Sequence, residues 1–584
     1  MRRFLRSHKW IAAFCLLSSF PVLCRLRSSA ECDIPQPSRD QVLKYTFEPA
    51  VDVGGALVIH VRLDFAVGDK GSAELELPSD WAGQSHLETG IRNLKTLSVD
   101  TVLLDTPQSN VKTLRFPTDS LVVVSYDLVK DWNGSLEYPK QFRPVLEREF
   151  FEFNTQNALV HPKFGLNDAV RANFVWRNIP GNWKVVTSFG TDQPCQTFTG
   201  PWHKVKNALF AGGDFRIYSA KVADEDLVVA IRGEWPFRDE EAVDQIQKII
   251  GAERTFWHDK DFPYYLVTLK PFESNSGSSD GSAFTNAFWL YLSRGSVFSY
   301  GIQNMLAHES FHAWNPHKMG PIPEPTESVH WFTEGFTVYY SDLLLLRAGL
   351  LSSSEYLNKL NRRIADYGFS PVKGLSNNEI VARHEHENSV DQLTYIRGAV
   401  TALWLDAQIR KHSGGSRSLD DLMLRLKDQA TGEPEPLLTT KRILSTADEY
   451  LGHRDGHVLR DMVNKGTAVP VPNFPLNACV HRSVDQVPTF DLGFDKETLL
   501  SKNQVSGVNP DSAAFRAGIR DGQEIAGASI YWDDVSKPVR LKIRSGNGRQ
   551  IVEYFPTGKS IPIPQYHLQS EQSTATPEVC HFSM

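Results

Sequence analysis

Two histidines four residues apart, His308 and His312 in the stretch GIQNMLAHESFHAWNPHKMG, set the strongest constraint in the chain. On an α-helix, positions i and i+4 share a face, so both imidazoles can reach one metal ion. Glu309 brings a carboxylate to the same place. A five-residue pattern of this kind arises by chance in roughly 3 chains of 100, so its surroundings must decide between a metal site and an exposed helix bearing two histidines. Met305, Leu306, Phe311 and Trp314 lie around the pair, which makes the helix partly buried. Glu334 follows His312 by 22 positions, alone within the apolar segment WFTEGFTVYYSDLLLLRAG. A buried unpaired carboxylate is costly, and metal binding is one of the few ways to offset that cost. The predicted arrangement is therefore two adjacent helices holding one Zn²⁺ between His308, His312 and Glu334, with Glu309 beside it.

The chain has 584 residues, too many for a single hydrophobic core, and two to four domains are expected. A formal charge of −7 without a basic stripe argues against nucleic acid as a partner. Residues 1–30 read as a secretory signal: Arg2, Arg3, Arg6 and Lys9, then the apolar run IAAFCLLSSFPVLC, then small residues ending at Ala30. The run is short for a membrane span, although Arg25 and Arg27 after it keep an uncleaved anchor as the alternative. The expectation is an exported protein, periplasmic or secreted. Removing the signal leaves Cys32, Cys195, Cys479 and Cys580, which allow three disulfide connectivities. Cys479 with Cys580 and Cys32 with Cys195 is the pairing we expect, with free thiols as the alternative.

Fold class reads as multidomain α+β. From residue 31 to 200, short alternating runs such as ALVIHVRLDF and SAELELP, broken by turns, predict a β-sandwich-like domain. From 201 to 472 helical periodicity dominates: DEEAVDQIQKII, the HESFH helix, WFTEGFTVYYSDLLLLRAG and TYIRGAVTALWLDAQIRKH. Gly349 suits a helix C-terminus, and Ser352 with Glu355 reads as a capping box. YYLVTLKPF is a strand candidate, and ESNSGSSDGS after it reads as a flexible loop, which sets Asp280 aside as a site residue. Residues 473–568 read as a small β-rich module and 569–584 as a flexible tail.

HESFHAWN, WFTEGFTVYY and YIRGAVTALWLD resemble the glycyl aminopeptidase family of gluzincin zinc metallopeptidases, relatives of the thermolysin-like catalytic domains of larger aminopeptidases. WRNIPGNWKVVTSFG resembles the end of that family's β-rich N-terminal domain, and DLGF with GVNPDSAAFRAGIRDGQEI resembles a PDZ domain with its carboxylate-binding loop. The resemblance implies a thermolysin-like catalytic domain with one Zn²⁺ per chain on His308, His312 and Glu334. It further implies Glu309 as general base and proton shuttle, and Tyr395 as donor to the oxyanion. Such chemistry needs three protein ligands and an open position for water, whose pKa zinc lowers to about 7. Where the family has an acidic residue upstream to hold the substrate's α-amine, DGSAFTNAF presents Thr285 and Asn286. Asn286 is expected to hydrogen-bond substrate backbone or to serve structure.

The resulting expectation is an exported zinc peptidase, aminopeptidase-like, acting on peptide or protein substrate near chain ends. The alternatives are an endopeptidase, consistent with the missing carboxylate, and a non-catalytic envelope protein that captures C-terminal peptides through its PDZ-like domain. Side-chain preference and oligomeric state are not readable from the sequence.

Overall fold

The computed structural model describes residues 41–568 apart from 67–70, 119, 260–263, 274–277, 324, 385, 433–436, 474–479 and 546–547. The signal segment 1–30, the tail 569–584 and every cysteine except Cys195 lie outside the described residues. Cys195 is disulfide-bonded, so its partner also lies outside them.

The N-terminal region is built of sheets, as the short alternating runs predict. Gln41–Val51 pairs antiparallel with Leu57–Ala66 and parallel with Ala169–Trp176 in a six-stranded sheet. Leu57, Ile59, Val61, Leu63 and Phe65 are buried at every second position, and the intervening side chains are more exposed at His60 and Arg62. Leu209–Gly213 pairs with Phe150–Asn154, so hydrogen bonding carries this region past residue 200.

A five-stranded sheet then prepares the site. Its strands are β1 (Arg216–Val222), β2 (Glu225–Ile231), β3 (Tyr264–Pro271), β4 (Ser279–Phe284) and β5 (Ala287–Leu292), in the order β1-β2-β3-β5-β4. β2, β3 and β5 run parallel, and β4 is an antiparallel edge strand. All six residues of β5 are buried. Phe288, Leu290 and Leu292 face the helical core, while Ala287, Trp289 and Tyr291 face the core shared with the N-terminal region. Burial on both faces explains why β5 reads as a continuous apolar run. The expected loop at GSSDGS becomes β4 from Ser279 onward: its small and polar residues suit an edge that keeps one side free.

Five helices matter for the site: α1 (Asp239–Trp257), α2 (Tyr300–Phe311), α3 (His330–Arg347), α4 (Ser353–Phe369) and α5 (Asn388–Ser413). Asp239, Glu240 and Glu241 occupy the first turn of α1, where carboxylates favour the helix N-terminus. α3 is buried nearly all round, ends with Gly349 at φ 70°, and leads to the Ser352–Glu355 capping box of α4. α3 and α5 cross at Gly335 and Gly398. A methyl group on either glycine would overlap the other helix's backbone, so the close crossing requires the glycine of YIRG.

At the C-terminal end, Val480–Phe490 and Thr557–Leu568 form an antiparallel ribbon. Val480, Ile563 and Tyr566 join the helical core, and Asn361 of α4 brackets Tyr566: its Nδ2 donates to the Tyr566 carbonyl at 2.8 Å and its Oδ1 accepts from the Tyr566 amide at 2.7 Å. Between the ribbon strands, a three-stranded sheet and Leu492, Phe494, Val505, Ile519 and Leu541 make a separate small core. In the DLGF turn the Gly493 amide donates to Asp491 Oδ1 at 2.8 Å. No helix among the described residues is long and apolar enough to cross a membrane.

Candidate metal centre

α2 presents His308 on its last turn, with His312 immediately past its end, and α3 lies against it with Glu334 on its second turn. His308 Nε2 lies 3.2 Å from Glu334 Oε2 and 3.2 Å from His312 Nε2, and His312 Nε2 lies 3.5 Å from Glu334 Oε2. For metal bonds of about 2.0–2.2 Å, the edges of a tetrahedron measure roughly 3.3–3.6 Å. The three ligand atoms therefore form one face of a zinc-sized tetrahedron, whose fourth corner is available to water or substrate. Among the described residues this is the one cluster of at least three such side chains able to hold a metal ion.

The outer nitrogen of His312 supports the same reading. Its Nδ1 lies 2.8 Å from the Asn315 carbonyl, an acceptor only, so Nδ1 carries the proton and Nε2 keeps its lone pair for a metal. Burial disfavours the His312 cation, yet the Glu334 and Glu309 carboxylates raise its pKa to about 9 in the metal-free protein. Burial likewise opposes the Glu334 anion, but the two imidazoles hold its carboxyl well below the usual range. In the metal-free protein the two groups form an ion pair, so a metal ion binds His312 by displacing its second proton.

Residues invisible to pattern reading fix this geometry. Asn315 is fully buried, and its Nδ2 faces the Phe332 and Thr333 carbonyls and Thr337 Oγ1 at 3.2–3.4 Å, tying the turn after α2 to α3. Ser310, inside HESFH, donates to Glu253 Oε1 at 2.8 Å. Burial in α1 pushes the Glu253 carboxyl well above its ordinary value, and its bond with Ser310 ties α1 to α2.

Tyr395 on α5 places its ring 6.1 Å from that of His308, nearly parallel to it. Burial, with the Glu334, Asp391 and Glu309 carboxylates, raises its pKa, so the phenol stays protonated and can donate a hydrogen bond. Glu309 is half-buried, and its charge reaches His312, Tyr395 and Asp280. Thr285 and Asn286 form the turn between β4 and β5. Asn286 adopts φ 51° and its carbonyl accepts from the Leu266 amide at 2.9 Å, while the Thr285 amide donates to Asn207 at 2.7 Å. These bonds tie the turn to β3 and to the segment around Asn207. His330 stands one turn before Glu334 on α3, and its Nδ1 lies 3.3 Å from His384 Nε2, which lies 2.9 Å from Asp391 Oδ1.

A fold with a helical lobe against a sheet edge, and a His-His-Glu set with an adjacent glutamate, defines a zinc metallopeptidase. Residues 302–394 match the family model of the M61 glycyl aminopeptidases, a span that holds all three candidate ligands and Glu309. Over this segment the chain is similar to the M61 glycyl aminopeptidases, and it is a zinc metallopeptidase. No curated protein matches it. Among solved structures, an aminopeptidase N family protein from Idiomarina loihiensis is similar in fold, with TM-score 0.66 and 18% identity over 90% of this chain and 98% of that one. An M1 zinc metallopeptidase from Deinococcus radiodurans superimposes less well, with TM-score 0.45 and 15% identity over 74% and 96% of the two chains.

Proposed function

We propose that this chain is an exported peptidase in which His308, His312 and Glu334 hold one Zn²⁺ and Glu309 is the general base. The fit of three converging ligand atoms to one zinc face, with the His312 tautomer fixed by Asn315, carries this reading. When bound, zinc would supply Lewis acidity, polarising a peptide carbonyl and making water acidic near neutral pH. Glu309 takes the proton of the attacking water and delivers it to the departing amine. Tyr395, kept protonated by burial, donates to the carbonyl oxygen as negative charge grows on it. The free edge of β4, which packs against α2, suits an extended peptide. The thermolysin-like and PDZ-like assignments of residues 201–472 and 473–568 belong to the same proposal. Export rests on the composition of residues 1–30, and the disulfide at Cys195 agrees with an oxidising compartment.

Removal of residues near chain ends is the favoured mode. Endopeptidase action is the second reading, favoured by Thr285 standing where the resemblance expects an amine-binding acid. Capture of C-termini by the DLGF turn is opposed by Asp491, whose carboxylate already accepts the Gly493 amide. Digestion of a mixed peptide library, read by mass spectrometry beside Glu309→Gln, tests the proposal. Stepwise trimming lost in the variant supports it; internal cuts favour the second reading; no cleavage by zinc-loaded protein overturns it.

A further inference from the structure

Glu334 and Tyr395 stand on different helices, α3 and α5, so the angle between these helices decides where the phenol lies. The two helices meet backbone to backbone at Gly335 and Gly398. Such a contact fixes how near two helices come, while packing alone leaves their angle a scatter of about 15–20°. With the phenol roughly 6 Å from the crossing, a turn of about 10° would move it by about 1 Å. A misplacement of that size can cost about 100-fold in rate.

A polar bridge ties the helices away from the crossing. His330 opens α3 five positions before Gly335, and Asp391 lies in the first turn of α5, seven positions before Gly398. Each stands one turn before its helix's functional residue, Glu334 or Tyr395. His384, just past the helix Asn377–Arg383, joins them: its Nε2 lies 2.9 Å from Asp391 Oδ1 and 3.3 Å from His330 Nδ1. A carboxylate only accepts, so His384 Nε2 carries the hydrogen and shares it with His330 Nδ1. The other ring nitrogen of His384 is buried without a hydrogen-bond partner among the described residues, which leaves Nε2 as the polar anchor of the ring. The segment carrying His384 is held on both sides. Asn377 Nδ2 donates to the Ser328 carbonyl just before α3 at 2.8 Å, and the buried Arg397 of α5 donates to the Leu375 carbonyl.

We propose that His384 is a positioning residue: by bridging Asp391 to His330 it sets the angle between α3 and α5 and so aims the Tyr395 phenol at the reacting carbonyl. This rests on the peptidase reading above and adds to it the group that places the oxyanion donor.

The test compares His384→Leu, which removes the bridge but fills the space, with His384→Gln, whose amide can still donate to Asp391. In full-length, zinc-loaded protein His384→Leu is expected to lose roughly 10- to 100-fold in kcat with KM within about 2-fold, and His384→Gln to recover most of that loss. In the Tyr395→Phe background the leucine substitution should cost under about 2-fold, because the group it misplaces is already gone. Asp391→Ala cuts the bridge at its partly exposed end and should show the same coupling, so the test does not depend on one variant's folding. Equal losses in both backgrounds, a rise in KM at constant kcat, or no loss overturn the proposal. The NMR resonance of the isotope-labelled Tyr395 phenol carbon in metal-free protein, assigned by its disappearance in Tyr395→Phe, reads the position without turnover. It should shift in His384→Leu and return in His384→Gln; an unmoved resonance in the folded leucine variant overturns the proposal. An inactive wild type whose resonance still responds in this way counts against the peptidase reading and leaves the positioning role standing.

Discussion

Replacing Asn315 with alanine examines how the ligand geometry is maintained. The side chain is fully buried, and its Nδ2 serves Phe332, Thr333 and Thr337 on α3 while its main-chain carbonyl holds His312 Nδ1. One amide can make two full hydrogen bonds, each contributing about 0.5–1.5 kcal/mol net, so their loss with the small void left behind should cost about 2–3 kcal/mol. The carbonyl survives the substitution, but the turn that aims it is no longer tied to α3. Loss of an orienting partner of this kind typically weakens metal binding 10- to 100-fold. Thermal unfolding of the metal-free protein and zinc titration against a competing chelator measure the two effects separately. Unchanged stability with unchanged zinc affinity would refute the idea that Asn315 couples the two helices. A loss of stability alone would mean that the His312 ring is held by other contacts.

Other expectations follow from the same geometry. Tyr395→Phe should lower kcat by roughly 10²- to 10³-fold with zinc content unchanged, because it removes only a donor to the reacting oxygen; an equal rise in KM at constant kcat would contradict that role. Gly398→Ala places a methyl against the Trp331 carbonyl and Gly335 of α3, and should destabilise by about 3 kcal/mol with loss of metal, read by calorimetry. Zinc must displace the proton that Glu334 and Glu309 maintain on His312, despite burial, up to about pH 9. Titration at pH 7.5 in buffers of different ionisation heat should therefore report release of about one proton. The same raised value makes the His312–Glu334 attraction a source of metal-free stability that is complete below about pH 6.5 and lost as pH rises through about 9. Zinc affinity should climb over that window; affinity independent of pH would exclude His312 as a ligand.

The convergence of His308, His312 and Glu334 was legible in the sequence because its signal is local: one helical repeat in HESFH and one carboxylate isolated in an apolar helix. The capping box at Ser352 and Glu355 was legible for the same reason. The edge strand β4 was hidden because GSSDGS has the composition of a loop, and only pairing with β5 makes it a strand. Asn315 and Glu253 look ordinary in the chain, since their importance lies in partners 17–22 and 57 residues away. The packing of the terminal ribbon into the helical core was hidden too, because Tyr566 meets Asn361 across 205 positions. Periodicity within one element carries no information about such contacts.

Zinc content of purified full-length protein, measured by elemental analysis beside Glu334→Ala, tests the central claim most directly. About one zinc per chain in the wild type and less than about a tenth of that in the variant is the expected result. Equal zinc in both proteins, or none in a folded wild type supplied with zinc, would contradict the assignment of His308, His312 and Glu334 as the site.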